Sequence, residues 1–216
     1  MSLYYQDDHV TLYHGDCLTE HREWLEADVL VTDPPYGMAY DSGWTGHKNI
    51  AGDSSTAVRD DALNAWGSRP AIVFGTWKMA KPSGVKQTLI WDKGDDPGMG
   101  DLKMPWGSYW EEMYVFGAGF VGRRSNGIIR CKTEPKGAHA ASRPDHPTPK
   151  PVGLMERLIE KCPPGTIADP FAGSGATLMA AKNLRRKVIG VELEERYCEV
   201  IAKRCSQEVF DFGLSA

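Results

Sequence analysis

Between residues 166 and 192 the sequence predicts a strand, a glycine-containing turn, a helix and a second strand that ends in an acid. The four parts are Thr166–Asp169, Pro170–Thr177, Ala176–Leu184 and Val188–Glu192. The length of this unit suits a strand–helix–strand crossover, which joins parallel strands. We therefore predict an α/β protein with a mostly parallel central sheet and helices on both faces.

The same unit indicates a ligand. Gly173 and Gly175 would let a ligand approach the backbone closely, and Glu192, about 20 residues further on, could accept hydrogen bonds from ribose hydroxyls. The dinucleotide fingerprint is not met, because Leu178 stands where its third glycine would be, and no P-loop Lys-Ser/Thr pair follows Gly175. The expected ligand carries a ribose without needing a pyrophosphate, and Glu192 is expected at the protein surface. A simple tight turn is the alternative.

A second acid-bearing turn, Asp33-Pro34-Pro35-Tyr36, follows the apolar run Val29–Val31. The run predicts a buried strand that delivers Asp33 to the edge of the sheet where α/β proteins bind ligands. The prolines fix the backbone and donate no N–H group, so the carbonyls here can accept hydrogen bonds from elsewhere. Asp33 and the Pro34 carbonyl could accept both hydrogens of an exocyclic amino group while Tyr36 stacks on its ring. The alternative is a plain turn with Asp33 as a solvated cap, and this segment alone does not separate the two.

The rest of the pattern completes a single domain over residues 1–216. Further strands are predicted at His9–Tyr13, Pro70–Gly75, Lys86–Trp91, Glu112–Phe116 and Ile128–Cys131. Further helices are predicted at Leu18–Glu26, from Ser54 or Ser55 to about Trp66, and at Val152–Lys161. Met38–Asp53 has no periodicity and is too long for a plain connection, so we expect it to form a mobile lid.

Composition restricts the class of protein. With 216 residues, 41% of them hydrophobic, the chain can build one substantial core. It has neither an apolar run near the roughly 20 residues of a membrane helix nor a signal-peptide pattern, which predicts a soluble, intracellular (cytoplasmic) protein with no membrane partner. The five cysteines include no Cys-x-x-Cys pair, and the six histidines form no cluster with acids. We therefore expect neither disulfides nor a metal site.

Charge is distributed unevenly along the chain. The net charge is −4, yet residues 121–150 are strongly basic. The basic residues singled out there are Arg123, Arg124, Arg130, Lys132, Lys136 and Arg143. Such a stretch could contact phosphates, and a solvated surface loop of mixed charge is the alternative that composition favours.

Four blocks of sequence together resemble a known family. They are Asp33-Pro34-Pro35-Tyr36, His146–Pro151, Asp169–Thr177 and Gly190-Val191-Glu192. In content and order they resemble the β-class, DPPY-type DNA methyltransferases, which methylate amino groups with S-adenosylmethionine. The catalytic block precedes the cofactor block, which is a circular permutation of the usual methyltransferase order. The resemblance spans nearly the whole chain and implies a Rossmann-like methyltransferase fold.

The resemblance also implies a role for each matching residue. Asp33 and the Pro34 carbonyl would hold the target amino group, Pro35 would complete the turn, and Tyr36 would stack on the flipped base. The implied cofactor contacts are Asp16 and Cys17 at the adenine, Asp169, Phe171, Gly173 and Gly175 around the pocket, Glu192 at the ribose, and Thr148 and Lys150 at the methionine end. The basic residues would contact double-stranded DNA within a short target-recognition segment at about residues 117–150.

The implied reaction is methyl transfer to the exocyclic amino group of a flipped base. Asp rather than Ser at the head of the turn favours adenine N6. The alternatives are a cytosine-N4 or RNA amino methyltransferase, and a non-catalytic module that binds S-adenosylmethionine or nucleic acid. Cytosine-C5 methylation would need a nucleophilic cysteine, normally after a proline, and none of the five cysteines follows one. The sequence fixes neither the recognition site nor the oligomeric state, with a homodimer left open.

Overall fold

The computed structural model describes residues 2–38, 55–94, 103, 105–133 and 149–207, and within them the chain forms nine strands and four α-helices. The strands are β1 (Leu3–Gln6), β2 (Val10–His14), β3 (Val29–Thr32), β4 (Ala71–Gly75), β5 (Gln87–Asp92), β6 (Trp110–Phe116), β7 (Ile128–Arg130), β8 (Ile167–Asp169) and β9 (Val188–Glu192). The helices are α1 (Ala57–Trp66), α2 (Val152–Ile159), α3 (Ala176–Asn183) and α4 (Glu195–Ser206). The predicted lid, apart from Met38, lies outside the described residues.

The strands form one sheet in the order β1-β2-β9-β8-β3-β4-β6-β5-β7. The five central strands β2, β9, β8, β3 and β4 are parallel, and β7 is parallel to β5. Strand β1 is antiparallel to β2, and β6 is antiparallel to both β4 and β5. The predicted mostly parallel α/β sheet is confirmed.

Side chains of each strand alternate between the two faces of the sheet, and both faces carry a buried apolar cluster. Val29 and Val31 of β3 belong to the core cluster that contains the buried residues of α2, α3 and α4, and we call this side the first face. Leu30, between them, belongs to the cluster on the second face, with Trp24 and with Trp66 of α1. The two indoles stack with their ring centroids 5.8 Å apart. Helices therefore cover both faces, as predicted.

The sheet changes its direction of winding between β8 and β3. From β8 the chain passes through α3 on the first face to β9, whereas from β3 it passes through α1 on the second face to β4. The two connections leave neighbouring strands in opposite directions, and such a switch point opens a crevice at the carboxyl ends of the strands. Asp169 ends β8 and Asp33 directly follows β3, so the two predicted acid-bearing turns border this crevice.

The predicted helix at Leu18–Glu26 is wrong. The chain makes a turn after Asp16 and then a single 3-10 helix at Glu23–Glu26. The cause lies in two side chains: the Asp16 carboxylate accepts the backbone N–H of Leu18, and the indole N–H of Trp24 donates to the Cys17 carbonyl at 2.8 Å. That carbonyl would otherwise accept a helical amide, so the tertiary contact of Trp24 replaces the helix.

Within the described residues, no helix is both long and apolar enough to cross a membrane. The same residues contain no group of three or more His, Cys, Asp or Glu side chains placed to hold a metal ion. All five cysteines are free thiols, and four of them are buried.

Candidate active site

The turn after β8 is organised by Asp169, which is 2% exposed. Its Oδ1 accepts a hydrogen bond from the Thr32 hydroxyl at 2.6 Å and from the backbone N–H of Phe171 at 3.2 Å. Burial raises the pKa of Asp169 to about 6, and these hydrogen bonds oppose the rise. Because Thr32 is the last residue of β3, its hydroxyl ties the Asp169 turn to the strand that carries Asp33.

Gly173 and Glu192 meet at the neighbouring strand end. The backbone N–H of Gly173 donates to Glu192 Oε2 at 2.7 Å, and the N–H of Glu194 donates to Oε1 at 2.9 Å. Gly173 and Gly175 have φ of +53° and +80°, a region that favours glycine. The expected surface position of Glu192 is wrong: the residue is only 8% exposed, because the two amides hold its carboxylate inside. Burial raises the pKa of Glu192 to about 7.

The predicted adenine-contacting block follows β2, which is paired with β9. The backbone N–H of Gly15 donates to the Glu192 carbonyl at 3.0 Å, so the block lies at the same edge as Glu192. Burial acts to raise the pKa of Asp16, but the N–H groups of Leu18 and Thr19 outweigh it and lower the pKa. Cys17 is a buried core residue, and burial raises the pKa of its thiol to about 12.

These three strand ends supply carboxylates and backbone amides at one edge of the sheet. The Asp169 carboxylate accepts hydrogen bonds from a hydroxyl group and a backbone N–H, and the Glu192 carboxylate accepts them from two backbone N–H groups. When ionised, the two carboxylates keep a negative potential at the crevice, because these partners carry no full charge. Such a site suits a ligand that carries hydroxyl donors and positive charge.

On the other side of the crevice, Asp33 lies in a cluster of charged side chains. Its Oδ2 is 2.5 Å from Lys150 Nζ, and its Oδ1 accepts the Tyr36 hydroxyl at 2.6 Å. Lys150 Nζ is also 3.4 Å from Glu111 Oε2. Burial acts to lower the pKa of Lys150, but the carboxylates of Asp33 and Glu111 outweigh it and raise the pKa. For Asp33 burial is the larger effect and raises the pKa, against the influence of Lys150.

Lys150 therefore contacts Asp33, and its contact with the methionine end of a cofactor, which the family resemblance implied, stays a prediction. Two further members of the cluster, Glu111 and Lys93, were missed by the sequence analysis; Lys93 Nζ lies 2.6 Å from Glu111 Oε1. Strand alternation is the signal that could have found them. Met113 and Trp91, two positions away on β6 and β5, are buried on the first face, so the same face is expected for Glu111 and Lys93.

The predicted basic segment is divided between the two edges of the sheet. Phe116, the last residue of β6, pairs with Ala71, the first residue of β4, so the chain leaves β6 at the amino edge. Arg123 and Arg124 follow there and are exposed, and the Arg123 carbonyl accepts a hydrogen bond from Lys161 Nζ at 2.7 Å. These two arginines thus lie at the edge opposite Asp33.

Strand β7 carries the chain back toward the carboxyl edge. It runs parallel to β5 and pairs Arg130 with Asp92, the last residue of β5. Arg130 Nε is 3.6 Å from Asp92 Oδ2, and the exposed Lys132 follows two residues later. Arg130 and Lys132 therefore share an edge with Asp33. The predicted contacts that lie outside the described residues are Lys136, Arg143 and Thr148.

The chain is similar to known DNA methyltransferases over most of its length. A family model for N6 and N4 methyltransferases, described as DNA methylase, matches residues 76–204. The type II methyltransferase M.ScaI of Streptomyces caespitosus is 25% identical over 95% of this chain and 84% of its own length. The crystal structure of the M1.HpyAVI–SAM complex has a TM-score of 0.67 at 22% identity and covers 92% of this chain and 100% of that one. The cytosine-N4-specific PvuII DNA methyltransferase has a TM-score of 0.68 at 16% identity and covers 96% and 90%. The structural similarities show a shared Rossmann-like methyltransferase fold.

Proposed function

Because the chain belongs to the DNA methylase family of N6 and N4 amino-methyltransferases, we propose that it transfers a methyl group from S-adenosylmethionine to the N6 amino group of adenine in double-stranded DNA. One observation carries the proposal. The Asp33 turn and the Asp169 turn border one crevice on neighbouring strands, joined by the Thr32–Asp169 hydrogen bond. Direct transfer needs an amine and a methyl donor held side by side, because orientation supplies much of the rate.

The cofactor half of the crevice fits S-adenosylmethionine. That cofactor, when bound, supplies a methyl group on a positively charged sulfur. Glu192 would accept its ribose hydroxyls, the backbone at Gly173 and Gly175 would allow close approach, and the Asp16 block would lie beside its adenine. The negative potential of Asp169 and Glu192 suits its positive charge. The solved M1.HpyAVI–SAM complex, which has the same fold, is consistent with this assignment.

Asp33 and Pro34 carry the other half of the proposal. The lone pair of an aromatic amine is delocalised into its ring and is a poor nucleophile. The Asp33 carboxylate and the Pro34 carbonyl would accept hydrogen bonds from its two hydrogens, which localises the lone pair on nitrogen and stabilises the positive charge that develops there. The nitrogen then loses one of these two hydrogens as a proton, so that the methylated amine is neutral. The hydrogen bond from the Tyr36 hydroxyl to Asp33 orients its ring, which we propose stacks on the flipped base.

DNA is the proposed partner, and its phosphates need positive contacts on a chain of net charge −4. Arg130 and Lys132 are the proposed contacts among the described residues, because they share the carboxyl edge with Asp33. Phosphate contacts position a duplex without reading its bases, so the recognition sequence must come from other groups.

The test is identification of the methylated nucleoside. Double-stranded DNA containing all four bases is incubated with the protein and isotopically labelled S-adenosylmethionine, then digested to nucleosides. Label in N6-methyldeoxyadenosine is the expected result. Label in N4-methyldeoxycytidine would overturn the adenine assignment and retain the amino-group class. In a parallel reaction with RNA, label in RNA with none in DNA would overturn the DNA assignment. Cofactor binding without transfer to any substrate would indicate a non-catalytic module.

A further inference from the structure

We propose that Glu111, held by Lys93, is a positioning residue that shares the Lys150 ammonium with Asp33 and thereby keeps Asp33 available to accept the substrate's amino hydrogens. The inference rests on the proposed function and adds residues to its mechanism. Glu111 and Lys93 lie outside the four blocks of sequence that carry the family resemblance.

The cluster is built on rigid strands. Side chains on β3, β6 and β5 alternate between the faces, and the buried first-face residues nearest the carboxyl edge are Val31, Met113 and Trp91. Two positions further toward that edge are Asp33, which directly follows β3, Glu111 of β6, and Lys93, which directly follows β5. Strand geometry, which is more precise than loop geometry, therefore sets these three side chains on one face.

The four charged groups alternate in sign along the cluster. Lys93 Nζ lies 2.6 Å from Glu111 Oε1, Glu111 Oε2 lies 3.4 Å from Lys150 Nζ, and Lys150 Nζ lies 2.5 Å from Asp33 Oδ2. The Tyr36 hydroxyl adds a cross-link, since it donates to Asp33 at 2.6 Å and also lies 3.4 Å from Glu111 Oε2. Lys150 is only 7% exposed, so water cannot replace a lost protein partner easily.

This arrangement matters because Lys150 contacts the carboxylate that the substrate amine needs. An ammonium that two carboxylates share neutralises each of them only in part. If Glu111 lost its charge, Lys150 would pair with Asp33 alone, and a carboxylate in a full ion pair is a weaker acceptor for a neutral amine. Lys93 holds the other oxygen of Glu111 and so keeps Oε2 directed at Lys150.

Charge balance gives Glu111 a second effect. Two carboxylates and two ammonium groups cancel, so the cluster adds no net charge beside a crevice proposed to hold a positively charged sulfonium. Removing the charge of Glu111 leaves one excess positive charge next to the position where positive charge develops during transfer. The electrostatic environment of the reaction would then oppose the transition state.

Glu112 provides a matched control. It follows Glu111 on β6, so its side chain lies on the second face, where Glu112 Oε1 is 3.1 Å from Lys81 Nζ and Oε2 accepts the Tyr114 hydroxyl at 2.5 Å. It is buried, at 7% exposure, whereas Glu111 is partly buried. Glu111→Gln and Glu112→Gln therefore remove the same charge from adjacent positions of one strand, and only the first faces Asp33.

The experiment compares steady-state methyl transfer by the wild type, Glu111→Gln and Glu112→Gln as a function of pH. We expect Glu111→Gln to lower kcat on the order of ten- to a hundredfold, with KM for S-adenosylmethionine changed by less than about threefold. The acid limb of its kcat profile should move to lower pH, because the charge of Glu111 raises the pKa of Asp33. Glu112→Gln should keep the wild-type profile, and a merely structural defect would not move the acid limb.

Lys93→Met gives a second test that keeps the Glu111 carboxylate. Since the substitution leaves Glu111 Oε1 without Lys93, it should also lower kcat, by a smaller factor than Glu111→Gln does. A Glu111→Gln enzyme with wild-type kcat and pH profile would overturn the inference and leave the proposed function intact. Equal losses in Glu111→Gln and Glu112→Gln without a pH shift would also overturn it. A wild-type protein that transfers no methyl group would overturn the proposed function, and this inference with it.

Discussion

Glu192 should make the folded protein less stable as the pH rises through neutrality. Burial raises its pKa to about 7 from an ordinary value of 4.5. One pKa unit corresponds to about 1.4 kcal/mol, so holding the ionised carboxylate inside the protein costs about 3 kcal/mol above pH 7. Between pH 4.5 and 7 the folded state binds a proton that the unfolded chain does not. This contribution to stability is therefore complete below pH 4.5 and is lost as the pH rises to 7.

The measurement is the free energy of unfolding in urea between pH 5 and 8 for the wild type and Glu192→Gln. Over that range the wild type should lose about 2 to 3 kcal/mol relative to the variant, because part of the full effect lies below pH 5. Asp169, whose pKa is raised to about 6, is present in both proteins, so the difference reports the titration of Glu192 together with its charge interaction with Asp169. Glu194→Gln, which removes a nearby charge that adds to the raised pKa of Glu192, should move the loss of stability to slightly lower pH without abolishing it.

The ribose assignment gives the same residue a second signature. A hydroxyl donor favours the ionised form of Glu192, so S-adenosylmethionine binding near pH 7 should release up to about half a proton from the wild type and clearly less from Glu192→Gln. Calorimetry in buffers of different ionisation enthalpy measures that proton. A constant stability difference across pH would refute the argument from burial. Equal proton release in both proteins would refute the ribose contact.

Two further predictions concern the substrate side of the crevice. Asp33→Ala should abolish methyl transfer while calorimetry gives an S-adenosylmethionine affinity within about tenfold of the wild type, because Asp33 contacts Lys150 and Tyr36 and is proposed to bind the amine, not the cofactor; retained turnover would contradict the mechanism. Replacing Arg130 and Lys132 by Ala should reduce the slope of log DNA affinity against log salt by up to about 2, since each phosphate contact contributes about 0.9. Replacing Arg123 and Arg124 by Ala, at the opposite edge, should leave this slope unchanged. If only the Arg123 and Arg124 double variant lowered the slope, the DNA would bind at the amino edge instead.

The strand–helix units could be predicted because their signals are local. Apolar runs, glycine turns and the strand-end acids Asp169 and Glu192 lie close together in sequence, and the structure has these elements within one or two residues of the predicted bounds. Strand β1 was not predicted, because its burial is partial and its order comes from pairing with β2. The Asp7 carboxylate then forms the connecting turn by accepting the backbone N–H groups of His9 and Val10.

The charged cluster could not be predicted from local patterns. Lys150 is separated from Asp33 by 117 residues, and their contact depends on how α2 begins against the end of β3. Glu111 and Lys93 look in sequence like ordinary charged residues at strand ends. Strand alternation could have placed them on a face of the sheet, but only the strand order, which inserts β6 between β4 and β5, brings them near Asp33.

The position of one glycine changes what the missing dinucleotide fingerprint means. The third glycine of that fingerprint allows a helix to pack closely on a strand, and this chain has Leu178 in its place. Here the strand contributes the glycine that allows the close approach. It is Gly190 of β9, where an added Cβ would lie 2.8 Å from Leu178 Cδ2. Helix α3 therefore packs closely on β9 without a glycine of its own. Leu178 is therefore explained by helix packing and does not exclude a ligand that carries a ribose. A ribose is indicated instead by Gly173 and Glu192, whose 2.7 Å hydrogen bond joins the turn to the strand end.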